Sequence, residues 1–207
     1  LICGIDIARG GDDNCMIQFR RGKDAKSEKV YRIPGEKSRD SMKVVSILTT
    51  LLDRHKPDQI FLDATGIGGP IGDRLRQLGY PCMDVHFGDT QTVDQRKFKN
   101  KTAEMGYRCR EWLQNGGAIK DDPQLELELT SREYGHNEHD QLQLERKKDM
   151  KKRIGASPDW SDALYLTFAF MVPKRETSRM SQDQQARQQQ TLSEYQSSFE
   201  GDYDPLG

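Results

Sequence analysis

Four aspartates carry the chemistry this sequence could perform. Asp6 lies within the apolar run 1–8, Asp63 closes the run Gln59–Asp63, and Asp159 and Asp162 stand three residues apart in SerProAspTrpSerAsp (157–162). An aspartate in an apolar strand is costly unless an arginine, backbone donors or a cation compensates it. Strand alternation puts Leu1, Cys3, Ile5 and Ile7 on one face and Ile2, Gly4, Asp6 and Ala8 on the other, so small residues flank Asp6 and leave a shallow space above it. Asp63 precedes the glycine-rich ThrGlyIleGlyGly at a strand's carboxyl end, where open α/β sheets usually place ligands. Each acid also has a plain structural reading, and Asp159 equally serves as a first-turn acid that complements a helix dipole. Taken jointly, a carboxylate from each of two neighbouring strands and a third from a closing helix form a cluster whose repulsion calls for divalent cations. All-oxygen ligands with no paired His or Cys favour Mg²⁺ or Mn²⁺, and two such ions about 4 Å apart suit hydrolysis of a phosphodiester.

The elements that would position these acids follow from periodicity. Runs 1–8, 14–20 and 28–33 read as a three-stranded antiparallel meander joined by turns at 10–13 and 20–24. Ser38 stands as an N-cap for a helix over Ser41–His55, where Val44, Val45, Leu48, Leu51 and Leu52 recur at helical spacing until Pro57 stops it. Gln59–Asp63 is a buried strand, 70–78 a helix, 82–86 a short strand, and 102–113 and 123–129 two more helices. A hairpin over 132–135 and 141–145 leads through a basic stretch to an apolar closing helix that runs from 157–162 to Met171. The expected fold is therefore an α/β domain over 1–173, with a mixed sheet of antiparallel meander plus parallel strands, flanked by helices. Residues 174–207 are rich in glutamine and poor in apolar side chains, which predicts a disordered tail or a partner-binding arm.

Composition narrows the class less than the acids do. Of 207 residues, 34% are hydrophobic and 31% charged, and 32 Lys plus Arg against 33 Asp plus Glu leave a net charge of -1, so only local clustering can make an anion-binding surface. No apolar run approaches the roughly 20 residues of a membrane helix, and the start lacks a signal-peptide pattern, so the expectation is a soluble protein inside a cell. Cys3, Cys15, Cys82 and Cys109 form no CxxC pair, which argues for reduced thiols rather than zinc or disulfides.

Two basic runs are candidate contacts for a phosphate backbone. Arg146, Lys147, Lys148, Lys151, Lys152 and Arg153 make six basic residues in eight, and Lys148 or Lys151 could also neutralise a scissile phosphate. Arg96, Lys97, Lys99 and Lys101 form the second run; either reads equally as a solvated surface. His136 and His139 fall at the hairpin tip and read as exposed rather than metal-binding. Glycines 66–72 either cradle phosphate at a helix start or let backbone pass close to the acids.

The segments GlyIleAspIleAlaArgGlyGlyAsp (4–12), LeuAspAlaThrGlyIleGlyGlyProIleGlyAsp (62–73) and SerProAspTrpSerAspAla (157–163) resemble, in this order, the three acidic motifs of the nuclease domain in the large terminase subunit of tailed bacteriophages. AsnLysThrAlaGlu (100–104) and the run 147–153 are also similar to that family. The resemblance implies a ribonuclease H-like fold over 1–173 and a metal-dependent endonuclease that cuts concatemeric viral DNA during genome packaging. By position, Asp6, Asp63 and Asp162 match the metal-binding and catalytic triad, and Asp12 and Asp159 match accessory acids. It further implies double-stranded DNA as substrate, a terminase ATPase region, small terminase subunit and portal as partners, action in the host cytoplasm on the procapsid, and a monomeric isolated domain. No GxxxxGK[ST] loop occurs, so the expectation is the nuclease portion without the motor. A junction resolvase or transposase-type nuclease, an actin-like ATPase and a catalytically silent docking module for capsid or motor are the competing readings.

Overall fold

The computed structural model describes residues 1–8, 10 and 13–173; Asp12 and the tail 174–207 lie outside the described residues. The β-branched and aromatic runs near the N-terminus form β1 (Ile2–Asp6), β2 (Cys15–Arg20) and β3 (Val30–Ile33), paired antiparallel. Two later strands, β4 (Gln59–Asp63) and β5 (Cys82–Val85), run parallel to β1, giving the sheet order β3-β2-β1-β4-β5. Ile5 pairs with Leu62, so the next residues, Asp6 and Asp63, leave adjacent strands at the same edge.

Helices cover both faces, as a sheet with a buried parallel part requires. On one face α1 (Ser41–His55) and α2 (Gly68–Gln77) pack Val44, Leu48, Leu52, Ile71 and Leu75 onto Cys3, Ile5, Ile17 and Phe19. On the other, α3 (Lys101–Gln114) and α6 (Asp159–Leu166) bury Met105, Cys109, Leu164 and Leu166 with Phe61. Gly4 makes the second packing possible, since a Cβ there would sit 2.1 Å from the carbonyl oxygen of Ala163. The strand therefore lies directly under α6 and brings Asp6 to the helix that carries Asp159 and Asp162. Between them run α4 (Pro123–Ser131), the hairpin β6 (Tyr134–His136) and β7 (Leu142–Leu144), and α5 (Lys147–Ile154). All four cysteines are buried and unpaired. Among the described residues no helix is long and apolar enough to cross a membrane.

Three local expectations need correction. The cap of α1 is Asp40, whose Oδ1 accepts from the N–H of Met42 (3.0 Å) and Lys43 (3.3 Å). Ser38 is instead buried, donating to the Gly35 carbonyl and accepting from the Gly10 N–H. The closing helix stops at Leu166, not Met171: beyond it, Thr167, Phe168 and Ala169 donate to carbonyls three residues back, and the guanidinium of Arg20 takes the Thr167 carbonyl at 2.7 Å. The basic stretch is itself a helix, α5, anchored by the fully buried Met150.

Candidate active site

Asp6 is a strand-end acid only 3% exposed, and Asp159 and Asp162, at 4% and 2%, come from the first turn of α6 above it. The ammonium of Lys147, the first residue of α5, sits among all three. It lies 2.8 Å from Asp6 Oδ2, 3.0 Å from Asp159 Oδ1 and 3.2 Å from Asp162 Oδ2. The other oxygen of Asp162 accepts a bond of 2.6 Å from Arg132 Nη1. Arg132 follows α4, is almost fully buried, donates from Nε to the Glu145 carbonyl, and lies over the Tyr165 ring. Asp159 accepts from the backbone N–H of Asn14 at Oδ2 and from the hydroxyl of Ser157 at Oδ1, the oxygen that Lys147 also approaches. Glu128, also buried, accepts from the N–H of Ser161 at 2.7 Å and so braces the start of α6.

Asp63 completes the constellation from the open side. Its Oδ1 accepts from the Thr65 N–H at 3.0 Å, and it lines a cavity of about 290 Å³ together with Asp162, Lys147, Arg132, Asn100 and Arg146. Gly68 holds this corner tight, because a Cβ there would meet the Asp63 carbonyl oxygen at 1.8 Å. Close backbone packing thus accounts for that glycine without a phosphate.

The acids do not ionise alike. Burial, opposed by Lys147 and reinforced by the charge of Asp162, holds the Asp6 carboxyl up at about 7. Burial also raises Asp63, against the hydrogen bonds from Thr65. Burial pushes Asp162 upward too, but Arg132 and Lys147 together outweigh it and hold that carboxyl below its ordinary value. Asp6 and Asp162 share one ammonium yet shift in opposite directions, and the second cation, Arg132, is the difference. For Lys147, burial disfavours the charge, but Asp6, Asp162 and Asp159 prevail and raise it above a free lysine.

Among the described residues no three His, Cys, Asp or Glu side chains already converge as metal ligands. The reason is visible, since an ammonium holds the space between three of them. That space is built for positive charge and walled by carboxylate oxygens, the donor set that hard divalent ions take. Asp6, Asp162 and Asp63 fit such ions once the lysine withdraws.

The other expected site residues separate into distinct groups. Lys147 turns its ammonium into the acid cluster, although its side chain remains partly exposed. Arg153 is spent on Glu145 and the Ser131 carbonyl, and Lys151 on Asp13. Arg146, Lys148 and Lys152 are exposed on or beside α5, as are Arg96, Lys97 and Lys99 in the loop before α3. Lys101 does not belong with them: it is 3% exposed, paired with buried Glu104 at 3.1 Å and stacked on Phe170. His136 and His139 are exposed at the hairpin. Sequence reasoning missed Arg132 and Glu128. Their spacing carried a signal, since Leu125, Glu128, Leu129 and Arg132 recur at 3 and 4 residues, the inward stripe of α4 extended past its end.

The mixed sheet in this order, with helices on both faces, is a fold shared with solved nuclease domains of large terminase subunits. The chain is similar to the nuclease domain of the large terminase subunit gp2 of bacterial virus Sf6, with a TM-score of 0.67 and 18% identity over 83% of this chain and 88% of that one. A mutant of the same domain with manganese and beta-thujaplicinol gives 0.66 at 17% identity, over 83% and 88%. The large terminase nuclease of thermophilic phage G20c with bound magnesium gives 0.59 at 13% identity, covering 81% of this chain and 79% of that one. No family model and no curated protein sequence matches the chain.

Proposed function

We propose that this chain is a divalent-metal-dependent DNA endonuclease of the terminase type, which cuts concatemeric viral DNA during packaging. The observation that carries the reading is the trio Asp6, Asp159 and Asp162 closed around one cation, with Asp63 at the mouth of the adjoining cavity. The structural likeness to nuclease domains solved with manganese and with bound magnesium supports it.

Asp6, Asp63 and Asp162 would hold two Mg²⁺ or Mn²⁺ ions, with Asp159 and Asp12 as accessory acids. Such ions, when bound, supply charge stabilisation at the scissile phosphate and a water of lowered pKa. Arg132 keeps Asp162 ionised within a buried cluster and takes one of its oxygens, leaving the other, now beside Lys147, for the ion. Lys147, displaced from the acids, is within the same cavity and is placed to meet a phosphate. Asn100 and Arg146 line that cavity, and Lys99 lines the polar groove beside it with Arg146, so these residues would track the DNA backbone. Lys148, Lys152, Arg96 and Lys97 add exposed charge of the same kind. Contacts to phosphate position DNA without reading its sequence, so sequence preference should be low. Double-stranded DNA is the substrate in this reading, and the ATPase region, small subunit and portal are the assembly in which it would act on a procapsid in the host.

The test is conversion of supercoiled plasmid to nicked and linear forms with Mn²⁺ or Mg²⁺. Cutting should require the ion and vanish in Asp63→Ala; undiminished cutting by that variant refutes the assignment.

A further inference from the structure

The cavity that holds Asp63 and Asp162 adjoins the polar groove, of about 520 Å³, and four residues, Asn100, Leu144, Glu145 and Arg146, line both. These four side chains make the junction between the two spaces. Leu144 is apolar. Glu145 is neutralised, since its Oε1 and Oε2 lie 3.0 Å and 2.5 Å from Nε and Nη2 of Arg153. What remains at the junction is two groups that can only donate.

Asn100 is the first. It opens AsnLysThrAlaGlu (100–104), a segment that the acid cluster does not involve. Its Oδ1 accepts from the N–H of Ala103 at 3.1 Å and so caps α3. That bond fixes the amide, because the opposite orientation would set an NH₂ against an N–H. The half-buried side chain therefore offers the junction its Nδ2, which donates to no described residue, and not its oxygen. An asparagine that reads adenine uses both amide atoms, so this one is unsuited to a base. Arg146 is the second donor. Lys99 is bonded to Gln143 at 2.7 Å, Lys147 sits among the acids and Arg132 holds Asp162, whereas the exposed guanidinium of Arg146 pairs with no acid among the described residues. A planar fork and an amide nitrogen, with no free acceptor between them, suit a ligand made of acceptors, the anionic oxygens of a phosphodiester.

We propose that Asn100 and Arg146 grip one non-scissile phosphate of the DNA, the one that reaches the junction when its neighbour lies at the acids. The inference rests on the nuclease reading and deepens it, because it gives the cap residue of α3 a substrate contact and sets a fixed backbone site beside the metal centre. Such a contact holds the strand in place for cutting without choosing its sequence.

The experiment titrates a fluorescent DNA duplex of mixed sequence with the full 207-residue chain in EDTA, so that binding is read without cutting. Asn100→Asp keeps the cap, since aspartate caps as well as asparagine, but replaces the donor with a negative charge. Its melting temperature should hold while affinity falls at least about tenfold. Asn100→Ser, a neutral cap with a shorter side chain, should lose about fivefold, with the slope of log affinity against log salt unchanged. Arg146→Gln should make that slope shallower by about 0.9, the value for one phosphate no longer neutralised. Because both residues grip one phosphate, the losses of Asn100→Ser and Arg146→Gln should not multiply in the double variant. Parent-like affinity in Asn100→Ser, which would leave Asn100 a cap alone, overturns the proposal, and so do losses that multiply in full. Plasmid cutting with Mn²⁺ separates the two readings: a parent that cuts while Asn100→Ser binds as tightly sinks this inference alone, whereas a parent that binds DNA without cutting it sinks the nuclease.

Discussion

Removing Arg132 tests whether the acid cluster is held together by charge. Arg132 and Asp162 are 2.6 Å apart with side chains only 4% and 3% exposed, so Arg132→Met leaves a carboxylate in a dry site that already contains Asp6 and Asp159. Breaking a buried pair by deleting one partner costs about 3–5 kcal/mol, and a domain of this length loses about 2–4 °C per kcal/mol, so the melting temperature should fall by roughly 6–20 °C near pH 7 in EDTA. The pH dependence follows from the direction of the shift. Burial raises Asp162, but Arg132 and Lys147 hold it below its ordinary value in the native state. A depressed carboxyl contributes stability above its unfolded pKa and loses it as pH falls through the folded one. Without Arg132 the burial effect gains ground and Asp162 rises, so the variant takes up a proton on mild acidification that the parent does not. The deficit should therefore be largest at neutral pH and shrink as the solution is acidified, and Mn²⁺ should shrink it as well by replacing the lost cation. Thermal and urea denaturation of both proteins across pH, with and without Mn²⁺, measure this. A deficit below about 1 kcal/mol that stays flat with pH, the behaviour of an exposed ion pair, refutes the reasoning.

Three further outcomes are expected. Gly4→Ala pushes a methyl group to 2.1 Å from the Ala163 carbonyl, so α6 must lift; overpacking of this sort costs about 1–3 kcal/mol, and Mn²⁺ affinity should fall with it because Asp162 moves relative to Asp6. Calorimetry on the folded variant checks both, and unchanged metal binding would show that α6 is not what sets the acid spacing. Asp6, raised chiefly by burial to about 7, must lose its proton to ligate, so apparent Mn²⁺ affinity should drop as pH falls through that value. One displaced proton gives about tenfold per pH unit; a flat profile between about pH 6 and 7.5 excludes Asp6 as a titrating ligand. Lys147→Met removes the resident cation from three carboxylates, so the chain should melt lower in EDTA and regain more stability from Mn²⁺ than the parent does. Equal stabilisation of the two by Mn²⁺ would mean that the ammonium and the metal do not share a place.

The antiparallel meander and the neighbouring of the strands that end in Asp6 and Asp63 were legible because they depend on period-2 alternation, turn residues and the carboxyl edge of a parallel pair. The end of α6 was not, because apolar content continues through Phe168 and Phe170 while the helix is broken by distant partners. Arg20 and Arg108 bond the carbonyls of Thr167 and Phe168 across 147 and 60 residues of sequence. Lys101 misled for a related reason: its basic neighbours suggested a surface, whereas Glu104 one turn on and Phe170 from the chain's far end bury it.

Lys147 shows how a charge run conceals a face. Six basic residues in eight look the same whether they meet phosphate or carboxylate, and the sign of a side chain does not disclose its direction. The helical period does: Met150, Lys151 and Ile154 follow Lys147 at 3, 4 and 7 residues, and Met150 is fully buried, so Lys147 belongs to the inward stripe while Lys148 and Lys152 face out. An inward lysine at the N-terminal turn of a helix runs against the helix dipole, which disfavours cations there. It is stable only because Asp6, Asp159 and Asp162 supply more than the dipole and burial remove. The same excess of negative charge that makes the lysine tolerable is what a divalent ion would exploit, so the acid cluster and the lysine that covers it are two halves of one electrostatic arrangement.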